Sequence, residues 1–134
     1  MAVNKSVISA AGRDREIGLQ APGAAIAAAD TNRWEIQQVP EEVQGVIVAV
    51  NITAVTTSSV TVNIYGVDAY ANTRLLLSSA ALTTVQTKIL KVHPFLTASA
   101  NSVAQDIIGS RIMVEAVNGN ANSTTYSISA ELIY

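Results

Sequence analysis

Few residues in this chain of 134 could do chemistry. Histidine occurs once, at His93, and no cysteine is present to complete a metal set around it. Beside Pro94, His93 reads as a structural or exposed residue at a strand end. No nucleophile elbow, phosphate loop, dinucleotide fingerprint or HExxH motif occurs. Glu41 and Glu42 are adjacent, so in an extended segment they point opposite ways and make a poor acid–base pair. Asp68, Asp106, Glu115 and Glu131 are scattered, which leaves a glycosidase pair among them as a third-ranked reading. Loop oxygens at Asp68 or across residues 118–122 suit calcium in type, yet the second stretch has no carboxylate. Asn51-Ile52-Thr53 and Asn122-Ser123-Thr124 match the glycosylation acceptor pattern and read as coincidence in a chain without a secretory leader profile. The expectation is a protein with no catalytic residues, no cofactor and no metal.

What must position these residues is a set of strands. Residues 46–66 place Val46, Val48, Val50 and Ile52 on one parity, then Val60, Val62 and Ile64 after a break at Thr56, Thr57, Ser58 and Ser59. Period-two alternation marks strands with one buried face, and the simplest reading is a long antiparallel hairpin. Further strands are expected at 32–38, around Trp34 and Ile36, at 74–78 and at 83–93. The 83–93 strand has mixed faces, as an edge strand does, with Lys88 and Lys91 discouraging unwanted pairing. A second hairpin is expected over 107–134, turning at Asn118-Gly119-Asn120. Its last strand puts Tyr126, Ile128, Ala130 and Leu132 on one face. About seven strands without a long amphipathic helix predict an all-β fold, an antiparallel β-sandwich or jelly-roll-like barrel.

Residues 1–30 lack a sustained period and include the small-residue stretch APGAAIAAAD. They read as an extended N-terminal arm, and residues 31–134 as the sandwich domain. Charged residues make up 13% of the chain, about half the usual share. Residues 43–134 hold only four cations and four carboxylates. Either Ser, Thr and Asn cover the surface, or much of it is buried against other subunits. A net charge of −2 gives no footprint for nucleic acid or an anionic membrane. No apolar run reaches the roughly 20 residues of a membrane helix.

Residues 59–134 resemble small virion proteins of tailed bacteriophages. The resemblance lies in the strand and loop at Thr61–Asp68, the run at Leu76–Ala80, the VHPFLTA strand end at Val92–Ala98 and the final hairpin at Gly119–Ile133. It carries no chemical motif. It implies a capsid decoration (cement) protein on the head exterior, made in the host cytoplasm, binding the major capsid protein as a homo-oligomer, with a trimer favoured. Candidate subunit or capsid contacts are Ile17, Leu19 and Ile26 of the arm, with Trp34 and Tyr70 of the domain. The rival readings are another phage component, in the tail or connector, and a carbohydrate-binding or adhesin module that would cluster Tyr65, Tyr70 and Trp34.

Overall fold

Two β-sheets stacked face to face form a sandwich that does not close into a barrel. The computed structural model describes residues 3–11, 16–20, 25–26, 30–55, 59–119 and 122–134, with no helix among them. The first sheet contains β1 (Val3–Ser9), β4 (Thr31–Gln37), β10 (Ile112–Asn118), β6 (Val60–Val67) and β7 (Thr73–Ser78), in that spatial order. The second contains β2 (Glu16–Gln20), β11 (Thr124–Ile133), β5 (Gly45–Val55), β8 (Gln86–Val92) and β9 (Val103–Ala104). A two-residue β3 (Ala25–Ile26) also pairs with β11.

Alternation dictates the core. Val46, Val48, Val50 and Ile52 of β5 and Val60, Val62 and Ile64 of β6 are all buried, as their parity predicts. So are Tyr126, Ile128, Ala130 and Leu132 of β11. Tyr126 is fully enclosed, and Asn32 Nδ2 donates to its hydroxyl at 3.3 Å. Burial pushes that phenol up to about 12.

The pairing differs from expectation. β5 and β6 are not a hairpin: β5 pairs with β11 and β8, whereas β6 pairs with β10 and β7. The link between them carries the chain from one sheet to the other. β10 and β11 likewise lie in opposite sheets, so the 107–134 hairpin is also replaced by a crossing. Alternation says which face is buried but not whether the next strand lies beside it or across the core. The strand expected over 107–117 begins only at Ile112, because the Gly109-Ser110 step interrupts the alternation. β8 sits next to the edge, bordered only by two-residue β9, and Lys88 Nζ donates to Ser102 Oγ at 2.8 Å.

The described part of residues 1–30 is paired into both sheets. β1 runs parallel to β4, and β2 pairs with β11. Ala10 and Ile17 belong to the common core. Removing this segment would therefore strip a strand from each sheet, rather than detach a free arm.

Candidate contact surfaces

The outer face of the first sheet concentrates charge. Arg33 and Glu35 on β4, Glu115 on β10, Lys5 on β1 and Asn63 and Tyr65 on β6 share this face through the strand register. Lys5 Nζ lies 2.9 Å from Glu35 Oε2, and Arg111 Nε lies 3.4 Å from Glu35 Oε1. Arg33 Nε donates to Glu115 Oε2 at 2.7 Å. Asn63 Nδ2 donates to Glu115 Oε1 at 2.9 Å, and the Tyr65 hydroxyl donates to the same oxygen at 3.3 Å. These neighbours cover the carboxylates so fully that Glu35 is 3% exposed and Glu115 is 5% exposed.

The electrostatics follow from those contacts. The hydrogen bond from Lys5 holds Glu35 below the usual carboxylate range; burial opposes it, and the charges of Lys5 and Arg111 reinforce it. Burial alone would raise Glu115, but the bonds from Asn63 and Arg33 and the Arg33 charge outweigh it and leave the group lowered. Tyr65 is raised by burial and by the adjacent Glu115 charge. A glycosidase needs one of its two carboxyls protonated at working pH. Here both are lowered and held by cations and hydrogen-bond donors, an arrangement that stabilises this face of the sheet. No group of three or more His, Cys, Asp or Glu suited to a metal occurs among the described residues.

The second sheet's outer face is built from small side chains. Ala49 and Asn51 on β5 lie in register with Ser129 and Ser127 on β11, and with Ile89 and Thr87 on β8. Its charges, Glu16, Glu131 and Lys91, lie to one end, in the register of Ile47.

One end of the sandwich is different again. There the loops 38–44, 68–72, 93–102 and 105–111 meet. Val39 N donates to Ser110 O, Arg111 Nη1 donates to Asp68 O, and Gln44 N donates to Ile133 O. Gly45 seats the start of β5 against this end: a Cβ there would lie 2.5 Å from Val92 O and 2.6 Å from the His93 ring. Tyr70 is 88% exposed on this end and Phe95 is 78% exposed, with Leu96, Ile107 and Tyr134 also exposed.

These apolar groups ride on fastened loops. Asp68 Oδ1 accepts from the backbone N–H of Tyr70 and of Asn72, both at 2.9 Å, and Oδ2 accepts from Asn72 Nδ2 at 3.1 Å. Those bonds hold Asp68 below the usual range. Ala71 takes a left-handed conformation, φ 64°, to close the turn. His93 Nδ1 accepts from Phe95 N at 3.1 Å, and the two rings lie 5.5 Å apart, tilted by 56°. Gln105 Nε2 donates to Pro94 O at 3.2 Å. Arg74 Nη1 pairs with Asp106 at 2.9 Å, and Asp106 Oδ1 accepts from Ile107 N at 2.8 Å. Large apolar side chains held in water on hydrogen-bonded loops are the candidate contact surface, because a fastened backbone has little ordering entropy left to lose on binding.

Of the residues singled out from the sequence, only Tyr70 stands on this surface. Ile17 is 1% exposed on β2 and Leu19 packs partly against the core. Trp34 is 4% exposed, a core residue of β4. The Ile26 backbone pairs with Thr124, and its side chain lies outside the described residues. With Trp34 buried and Tyr65 committed to Glu115, the aromatic cluster needed for glycan stacking does not assemble. The sequence reading missed Phe95, Leu96 and Ile107. Phe95 and Leu96 lie in a connection without alternation, whereas Ile107 was placed at the start of the strand expected over 107–117.

No protein-family model matches the chain, and no curated protein matches it. Among solved structures it is similar to PliG of Aeromonas hydrophila, a periplasmic inhibitor of g-type lysozyme, at 8% identity and a TM-score of 0.45, over 97% of this chain and 98% of that one. It is also similar to a chain of infectious bursal disease virus, Gt strain, at 19% identity and a TM-score of 0.37. That match takes in 92% of this chain and 32% of the viral one.

Proposed function

We propose that the protein is a structural component of a phage virion, a head decoration protein that binds the assembled shell and stabilises it. The observation that carries this reading is the loop end, where Tyr70, Phe95, Leu96 and Ile107 stand in water on loops fastened by Asp68, His93 and Asp106. The resemblance of residues 59–134 to virion proteins supports it, and so does the low charge of that region. The partner is the major capsid protein, the site is the capsid exterior, and the protein acts as a homo-oligomer without catalysis.

The mechanism is linkage. A protein that binds the assembled shell and not dispersed subunits shifts the equilibrium toward the shell by mass action. Several modest contacts per oligomer multiply through effective concentration. The apolar loop end supplies the contact energy, and the sandwich holds it in shape. The test is co-sedimentation of purified protein with heads that lack it, followed by thermal disruption of the decorated heads. Binding with a raised disruption temperature is expected. A protein that ignores heads but binds a defined sugar on a glycan array would overturn the proposal in favour of a binding module.

A further inference from the structure

We propose that β1 is a self-pairing edge through which two copies of this chain join into one continuous sheet. Among the described strands the sandwich has four edges, and three are guarded. β2 is short and pairs with β11 across a register shift, β9 has two residues, and β7 carries a register shift against β6 and is tied by Arg74 to Asp106. Such devices prevent edge-to-edge association. β1 is seven residues long, has an unbroken register with β4, and contains neither proline nor glycine; its one lysine, Lys5, is drawn inward to Glu35 of the neighbouring strand instead of standing free at the edge. Among the described residues, no strand pairs with its outer side.

The hydrogen-bond phase fixes how a second copy would fit. Ala10 N donates to Gln37 O, and along a parallel strand the backbone groups of alternate residues face the same neighbour. Residues 4, 6 and 8 thus turn their backbone groups to β4, and Lys5 and Val7 turn theirs outward. Antiparallel pairing about a two-fold axis at Ser6 sets Lys5 of one copy opposite Val7 of the other. Both residues then exchange N–H and C=O bonds, twice per dimer. The strand's one charge, Lys5, faces an apolar residue and not its own copy, and Val7, 59% exposed in the single chain, is covered by the stem of the other copy's Lys5. Lys5 keeps its ion pair with Glu35 within its own chain. A two-fold contact yields a dimer, so this pairing takes the place of the three-fold contact that the family resemblance implies. It stands apart from the capsid proposal: failure to bind heads leaves it intact, and a monomer in solution leaves head binding to be judged by co-sedimentation.

Light scattering on a sizing column at rising concentration provides the test. The mass is expected to climb from the 14.0 kDa of one chain to twice that value. Val7→Pro removes an outward N–H and leaves the β1–β4 bonds in place, so it stays monomeric with an unchanged thermal midpoint. Val7→Lys, which places like charges opposite each other beside a welcoming Glu35, keeps the test decisive should the proline variant fail to fold. In an otherwise cysteine-free chain, Ser6→Cys sits on the two-fold axis and crosslinks the dimer on mild oxidation, whereas Lys5→Cys and Val7→Cys do not. A wild-type chain that stays monomeric at every concentration overturns the proposal. So does a Val7→Lys variant that dimerises normally, or a Ser6→Cys variant that does not crosslink.

Discussion

The outer face of the first sheet and the loop end invert the usual arrangement. On the sheet face two carboxylates are almost wholly covered, whereas at the loop end two aromatic rings stand almost wholly in water. Glu35 is satisfied by Lys5 and Arg111, and Glu115 by Arg33, Asn63 and Tyr65, so disturbing either carboxylate should cost fold stability. The exposed rings are barely held, Tyr70 by its backbone alone and Phe95 by one tilted contact with the His93 ring, so disturbing them should cost binding far more than stability. Geometry, more than residue type, decides which link of the chain from structure to function a side chain serves.

The largest expected effect falls on the charged face. Glu115→Ala leaves Arg33, Asn63 and Tyr65 without their shared acceptor, and should cost about 2–3 kcal/mol. For a domain of this size that is a fall of roughly 10 °C in a calorimetric midpoint. An unchanged midpoint would dissolve the contrast between the two regions.

Acid should act on the same face. Glu35 and Glu115 have folded-state values below their ordinary 4.5, so their contribution is present above that value. It is lost as pH falls through the lowered folded values. Glu35→Gln should flatten the acid limb of stability measured by urea titration at successive pH values. A limb as steep as in the wild type would mean that other groups carry it.

Lys5→Ala should be milder, about 0.5–1 kcal/mol, since Lys5 is half exposed and Arg111 still neutralises Glu35. At the loop end the stability effect should be smaller still. Tyr70→Ser should change the midpoint free energy by no more than about 0.5 kcal/mol. It should nonetheless weaken head binding by about tenfold, as loss of an exposed aromatic anchor does. A loop-end substitution that unfolds the protein would show that these rings serve the fold after all.

Much of the core was legible in the chain, and most of its wiring was not. Alternation identified the inward faces of β5, β6 and β11 residue by residue, because the pleat leaves only one parity to bury. It was silent on whether Val46–Ile52 and Val60–Ile64 lie side by side or face each other, since both arrangements bury the same atoms. The first 30 residues looked aperiodic because β1 is an edge strand with polar residues on both faces. That Glu35 and Glu115 are covered was not legible, because Glu115 shares its parity with Met113 and Val117 and Glu35 alternates with Trp34 and Ile36. Their cover comes from long side chains on neighbouring strands, which sequence spacing does not reveal. Tyr70 was legible as a loop aromatic. Phe95 was legible only as the residue after a proline that ends a strand; its exposure depends on the turn that His93 caps.

The most direct measurement is co-sedimentation of Tyr70→Ser/Phe95→Ser protein with undecorated heads, run beside the wild type and beside Glu115→Ala at a temperature where all three are folded. Wild type and Glu115→Ala should pellet with the heads while the doubly substituted chain stays in the supernatant. Equal pelleting by all three would contradict the assignment of the loop end as the contact surface.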